Sequence, residues 1–461
     1  MGHGGAPGAA VGYATGLQIG YSRRVGSNSG GVGMSMNRRN FLAAGAGAAS
    51  GAMIPLRLLE RMAAAPRALP PARLYQDDEE AYWAGIRKQF LIPADEIYFN
   101  NGTCGSSPAP VLKAIFDGYN ATEKMDDANP EDYPIWGYGP WNQFRDPLAA
   151  FIGCERDELA MLRNATEANN YIANGFKMNP GDEVLITDQE HEGGENGWFL
   201  RAKRYGITVR KVALPRPVVR PEDVLNRFND AITPRTRIFF FSHVTTITGV
   251  VLPAKSLCAL ARDKGIASAV DGAHVTGMMK LNVHDIGCDY YTSSPHKWLQ
   301  APKGSGFLYV KAGMEDRLWN TIASAGWDSS SGGAYRFQQI GTSNVPALWG
   351  LKAAISFANQ IGMERIEARH RALNQAMLDA MLQRGATNIT GLDPSLRCAL
   401  TTVDISPIER MKLENWMWTR KKIRIRGSEP SKLRLATPYY FLKTDMARLL
   451  AAFDEYKAAA M

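Results

Sequence analysis

Cysteine is scarce in this 461-residue chain. The five thiols, Cys104, Cys154, Cys258, Cys288 and Cys398, are scattered and include no CxxC pair. An odd, unclustered set argues against both a disulfide framework and a structural zinc site. Four of them read as buried thiols, while Cys104 stands apart in the polar loop NNGTCGSSP. No apolar run approaches the roughly 20 residues that a membrane-spanning helix needs. The seven histidines form no HxxxH or HxH pair, so no metal geometry is fixed by spacing. GxxxxGK[ST] and GxSxG are both missing, which removes a Walker-type phosphate loop and a hydrolase nucleophile elbow.

Net charge is also missing from most of the chain. The total is +8, yet the first 73 residues hold eight arginines against a single acid, Glu60. The remaining body is close to neutral, so it offers no general electrostatic reason to bind nucleic acid. The basic leader has its own pattern. Residues 1–33 are rich in Gly, Ala and Ser and read as disordered. Next comes MNRRNFLAAGAGAASGAMIPL, in which Arg38 and Arg39 precede a short, weakly apolar stretch. This pattern resembles a twin-arginine export signal, which implies the twin-arginine machinery as a partner and a periplasmic or exported location, with the cytoplasm as the alternative.

From Val184 on, short β-branched or aromatic runs alternate with helical stretches. EVLITD, TVRKVAL, RIFFFSHV, IASAVDGAH, DYYTSSP and GFLYV read as strands. GGENGWFLRAKRYG, EDVLNRFNDAI and AKSLCALARDKG read as helices, and EANNYIANGFKM reads as an earlier helix closed by Asn179-Pro180-Gly181. This alternation predicts an α/β fold with an open, mainly parallel sheet. Residues 347–384 read as long helix broken near Gly362, followed by a smaller α+β region with strands CALTTVDI, KIRIRG and KLRLAT. The expected division is a leader over 1–73, an N-terminal segment and large domain over 74–345, and a linking helix and small domain over 346–461.

In an open α/β sheet, ligands bind outside the carboxyl ends of the strands. The predicted strand ends carry His191, then His243 with Thr246, then Asp271 with His274, then Ser294, His296 and Lys297. A lysine in a dry pocket can bind an aldehyde cofactor covalently. Pyridoxal phosphate needs an acid at its ring nitrogen, a flat group against its ring, a donor at its phenolate oxygen, and hydroxyls with a helix N-terminus for its phosphate. All of these residue types are present.

AVDGAHVTG, SSPHKWLQAPKGSGFLYV and GTSN resemble the class V aminotransferase group of fold-type I pyridoxal-phosphate enzymes, from about Ile97 to the C-terminus. That group includes isopenicillin N epimerase-like proteins, cysteine desulfurases and kynureninase-like enzymes. The resemblance implies Lys297 as the Schiff-base lysine, Asp271 as the partner of the pyridine nitrogen, His191 as the stacking ring and His274 as the group facing the phenolate oxygen. It further implies Thr166, Ser294 and His296 at the phosphate, and Arg434 at the α-carboxylate of a small amino substrate. Asn101 and Gly102 are implied on the substrate side. Thr342 in GTSN is implied to reach the cofactor of a second subunit, and hence a homodimer. Lys303, in the turn before GFLYV, reads as a surface charge, and His243 as structural.

The departures from the family choose among its reactions. Desulfurases place a nucleophilic cysteine on a loop shortly before the carboxylate-binding arginine; here KKIRIRGSEPSKLRLA has none. Thr246 also stands where desulfurases usually carry asparagine. The resemblance therefore implies the isopenicillin N epimerase-like branch, with epimerase or transaminase chemistry at the α-carbon. A desulfurase-like lyase is the alternative. A non-catalytic regulator would need a fused DNA-binding domain, for which the leader is too short and too Gly-rich. Cys104, Trp298, Trp327 and Tyr335 are expected around the substrate.

Overall fold

Runs of β-branched and aromatic residues, each closed by a polar residue, become the strands of a seven-stranded sheet. The computed structural model describes residues 67–124, 141–329 and 332–460; residues 1–66 of the leader, with Arg38 and Arg39, lie outside them. The strands are β2 (Leu159–Leu162), β3 (Glu183–Thr187), β4 (Thr208–Val212), β5 (Thr236–Ser242), β6 (Ala267–Asp271), β7 (Tyr290–Ser293) and β8 (Gly306–Val310). Their order is β2-β8-β7-β6-β5-β3-β4. The ladder is parallel from β7 through β6, β5 and β3 to β4, and β8 runs antiparallel to both its neighbours.

The strands read as continuous apolar runs because both faces are covered. Phe239, Phe241, Val270, Tyr291, Phe307 and Tyr309 enter one core. Their alternates Ile238, Phe240, Ala269, Tyr290 and Leu308 enter the other. The helices of eight or more residues are α1 (Glu79–Arg87), α2 (Ala109–Glu123), α3 (Asn142–Ile152), α4 (Ala165–Gly175), α5 (Glu192–Tyr205), α6 (Pro221–Ala231), α7 (Ala254–Asp263), α8 (Val345–Ile361), α9 (Met363–Gln383), α10 (Arg410–Lys421) and α11 (Lys443–Ala460). The break between α8 and α9 falls at Gly362 (φ 96°), as the sequence predicts. Helix α4 ends earlier than its sequence suggests. Phe176 turns to extended backbone and is fully buried, edge-on to Tyr290 and under Arg317.

The C-terminal region forms a second sheet of order β12-β13-β10-β9, all antiparallel, from β9 (Thr387–Asn388), β10 (Leu400–Asp404), β12 (Arg426–Gly427) and β13 (Lys432–Ala436). Part of the N-terminal segment packs against this region. Strand β1 (Ile97–Tyr98) pairs in parallel with β11 (Ile423–Arg424), and Ile97 and Phe99 share a core with Leu373, Met417, Leu433 and Phe453. A small cluster of Val244, Val275, Trp298, Leu400 and Ala436 joins the ends of the large-sheet strands to β10 and β13. All described residues belong to one compact unit.

Candidate active site

A cavity of about 990 Å³ opens at the carboxyl ends of β3, β5, β6 and β7. His191, Thr246, Asp271, His274, Ser294, His296 and Lys297 all line it, as do Thr166, Gly102 and Arg434. His243 does not. It is buried, with Nδ1 3.1 Å from the Tyr291 hydroxyl, and burial pushes its pKa down to about 4. Lys303 is exposed in its turn.

Asp271 closes β6, and two donors fix its carboxylate. Asn169 Nδ2 donates to Oδ2 at 2.8 Å and the Ala273 amide to Oδ1 at 2.9 Å. Thr292 in turn donates to Asn169 Oδ1 at 2.7 Å. The glycine after Asp271 is obligatory, because a Cβ at Gly272 would lie 2.1 Å from the Tyr291 ring.

Lys297 sits in the turn after β7, with Nζ 3.4 Å from His274 Nε2. Burial pushes its pKa down to about 8, against the pull of Asp271 and with help from Arg434. The His274 tautomer follows from its other side. Trp298 Nε1–H donates to Nδ1 at 3.1 Å, and burial holds the ring pKa well below the usual imidazole value. The neutral ring therefore carries its proton on Nε2, and that N–H points at the lysine amine.

One end of the cavity is built for an anion. Asn164 caps α4 by accepting from the Glu167 amide at 2.9 Å, and Ser294 Oγ accepts from the Ala165 amide at 2.9 Å. Thr166 is exposed to the cavity in the first turn of the same helix. Its hydroxyl would lie 2.4 Å from a Cβ at Gly193, so the glycine lets α5 come close. His296 donates from Nδ1 to the Ser305 carbonyl (3.1 Å), leaving Nε2 for the cavity. His191 caps α5, accepting from the Gly193 amide at 2.9 Å, and its ring is exposed at the cavity wall. Burial first, then the Lys297 charge, hold its pKa below the ordinary value.

Arg434 is the buried cation of the site. Nη1 donates to Thr246 Oγ1 (3.3 Å), and Nη2 donates to Asn100 Oδ1 (3.3 Å) and Thr103 Oγ1 (2.9 Å). These partners are neutral, and Nε has none. Burial, then repulsion from Arg426, push the Arg434 pKa down to about 10. A buried guanidinium held by neutral oxygens is prepared for a carboxylate from outside.

Five positions expected on the substrate side fall elsewhere. Asn101 is behind the wall, its Nδ2 on the Lys297 carbonyl (3.1 Å) and its Oδ1 taking the Tyr440 hydroxyl (3.1 Å); Asn100 and Thr103 line the cavity in its place. Thr342, implied to serve a second subunit's cofactor and not this one, is exposed near the start of α8, outside this cavity. Trp298 is fully buried beneath His274 rather than on the substrate wall. Trp327 and Tyr335 do not line the cavity either; Tyr335 lies under Arg145. Cys104 turns its thiol toward the backbone carbonyls of Gly105 and His296. Among the described residues no cysteine lines the cavity, and burial pushes the Cys398 thiol up to about 12.

This combination of sheet, rim lysine and aspartate, and anion-binding helix end defines a cofactor-dependent enzyme of the α/β class. The family follows from comparison: residues 97–435 match the aminotransferase class-V model, and the chain belongs to that family. It is 30% identical to isopenicillin N epimerase of Streptomyces clavuligerus over 81% of this chain and 98% of that protein. It is 32% identical to isopenicillin N epimerase of Amycolatopsis lactamdurans, with the same coverage. A cysteine desulfurase from Thermococcus onnurineus NA1 has the same fold, with TM-score 0.72 and 20% identity over 80% of this chain and 97% of that one. The chain is a class V aminotransferase-like enzyme whose cofactor is pyridoxal 5'-phosphate. The residues present fit that group: an oriented acid, a ring face, an amine and a helix N-terminus share one cavity.

Proposed function

We propose that Lys297 carries the cofactor covalently and that the enzyme moves the α-proton of an amino substrate, as an epimerase or a transaminase. The observation that carries this reading is Arg434, a buried cation with an unpartnered Nε, on the same cavity as a lysine whose pKa is pushed down to about 8. When bound, pyridoxal phosphate supplies an electron-withdrawing ring that makes the substrate's Cα–H acidic.

The chain's own residues do the rest. Thr166, Ser294, His296 and the first turn of α4 would hold the phosphate. His191 would lie against the ring. Asp271, fixed by two donors, would keep the proton at the pyridine nitrogen. His274 would donate from Nε2 to the phenolate oxygen. Arg434 would take the α-carboxylate with its planar fork. Lys297 Nζ, neutral above about pH 8, would accept the α-proton. The absence of a cysteine from the cavity wall favours this over the alternative, a desulfurase-like lyase. The likeness to two epimerases over nearly their full length supports the same branch.

Incubation with a panel of amino acids in deuterated water tests the reading. Deuterium at the α-carbon without keto acid identifies epimerisation, and keto acid with aminated cofactor identifies transamination. Borohydride treatment followed by peptide mapping should place the cofactor on Lys297; a colourless protein with no adduct there would refute the assignment.

Two further parts of the proposal concern setting. The enzyme acts as a homodimer in which Thr342 reaches the neighbour's cofactor; its exposure away from its own cavity supports this. Sedimentation as a monomer at working concentration would overturn it. The protein is exported by the twin-arginine route, for which Arg38-Arg39 and the weakly apolar stretch after them are the support. A reporter fused to residues 34–73 should lose export when both arginines become lysine, and unchanged export would count against it.

A further inference from the structure

The cavity extends past the groups assigned to the cofactor and the α-carboxylate. Its outer wall comes from α10 and from β11 and β12, and it carries Arg410, Glu414, Trp418, Arg424 and Arg426 near Arg434. The charges on this wall do not balance. Glu414 is its single carboxylate among the described residues, and that group is already committed. Oε1 accepts from Arg410 Nη1 at 2.7 Å and from the Gly427 amide at 2.8 Å, so the pair ties α10 to β12. Arg426 Nη1 stands 3.9 Å from Oε2, too far for a hydrogen bond, and its side chain is 55% exposed.

Arg424 is less compensated still. No carboxylate among the described residues pairs with it, and its Cζ lies 3.6 Å from the centre of the Trp418 ring. A guanidinium laid on an aromatic face keeps its edge donors for a planar oxyanion. The backbone holds it in place: Arg424 is in register with Tyr98, and its carbonyl accepts from the Phe99 amide at 2.9 Å. One residue further, Asn100 holds Arg434. The alternation of KIRIRG puts Ile423 and Ile425 into the apolar core, so Arg424 and Arg426 share the opposite, cavity-lining face. The cofactor's phosphate already has its groups on other elements, α4 and the turn after β7. A volume of about 990 Å³ is at the upper end for small-molecule sites, which leaves room for a substrate larger than a simple amino acid.

We infer that Arg424, stacked on Trp418, and Arg426 form a second oxyanion site, and that the substrate is a dicarboxylic amino compound. Its α-carboxylate meets Arg434 and its distal carboxylate meets Arg424 and Arg426. This inference rests on the reading of the cavity as the amino-substrate site.

The test uses the cofactor-loaded enzyme and the change in cofactor absorption on binding. L-glutamate, L-2-aminoadipate and L-2-aminosuberate are each titrated against the corresponding side-chain amide. At one length at least, the acid should bind on the order of tenfold or more tightly than its amide, as a charge-assisted hydrogen bond implies. In R424Q/R426Q that ratio should fall toward one, whereas R424K, which keeps the charge, should retain part of it. R434Q should weaken acid and amide alike and preserve the ratio. Equal binding of acid and amide at every length, or a preference that survives in the double variant, would overturn the inference. Absence of any absorption change with all six compounds, together with an unlabelled Lys297 after borohydride, would overturn the underlying reading of the site and the inference with it.

Discussion

Replacing Trp298 with phenylalanine isolates a single hydrogen bond whose effect should be read two residues' contact away, at Lys297. Trp298 Nε1–H occupies the Nδ1 lone pair of His274 and so keeps the proton on Nε2, 3.4 Å from Lys297 Nζ. That N–H can donate only to the neutral amine, so it favours the deprotonated lysine. Without the indole donor, the two tautomers compete and the bond to the amine weakens. A neutral hydrogen bond contributes about 0.5–1.5 kcal/mol, and at 3.4 Å the lower half of that range applies. One pKa unit corresponds to about 1.4 kcal/mol, so the Lys297 pKa should rise by about 0.5 unit from its value of about 8. The assay is the pH dependence of acetic anhydride modification of Lys297 in cofactor-free protein, resolved by peptide mass spectrometry against exposed Lys303. The lost ring volume should lower stability by on the order of 1–2 kcal/mol, which a thermal melt checks separately. A Lys297 titration that does not move, or that moves downward, in a variant that still melts cooperatively would refute the tautomer argument.

Three other perturbations have defined outcomes. Glu190 is buried and its carboxyl pKa is pushed up to about 7, chiefly by burial. The folded state therefore binds this proton more tightly than the unfolded chain, and stability should drop by about 3 kcal/mol as pH rises from about 4.5 through 7. Melts of E190Q between pH 5 and pH 8 should show a shallower decline than wild type; parallel curves would exclude the assignment. N169A removes a donor to the Asp271 carboxylate and strands the Thr292 hydroxyl, at a cost of about 2–3 kcal/mol, with weaker cofactor retention measured by dialysis. In G272A the new methyl meets the Tyr291 ring at 2.1–2.2 Å, so Tm should fall by several degrees and borohydride labelling of Lys297 should drop with it. Wild-type labelling in a normally melting G272A protein would contradict the packing described.

The strand ends were readable because apolar runs stop at a polar residue and the parallel-sheet rule makes those ends converge. His191, Asp271 and Lys297 reach one cavity for that reason. Asn169 carries a signal only in its spacing: it follows Thr166 by three positions on α4, which places the two on one helix face. The exchange of Asn100 for Asn101 has a similar origin. Neighbouring residues point to opposite sides of extended backbone, and composition does not say which side faces the ligand. The partnership of β1 with β11 left no mark, since two-residue strands carry too little periodicity to register. The role of Trp298 was invisible for a different reason: an aromatic beside a reactive lysine reads as a substrate wall until its burial under His274 is seen.

The pairing of β1 with β11 also governs when the site can exist. The Asn100–Arg434 contact joins residues 334 positions apart, the first just past β1 and the second on β13. Closing so long a loop is entropically costly and late. A chain still emerging from the ribosome holds the seven-stranded sheet and its lysine, since both lie before residue 311, yet it lacks Arg434 and the outer wall of α10, β11 and β12. Binding of amino compounds thus begins only once nearly the whole polypeptide has been made.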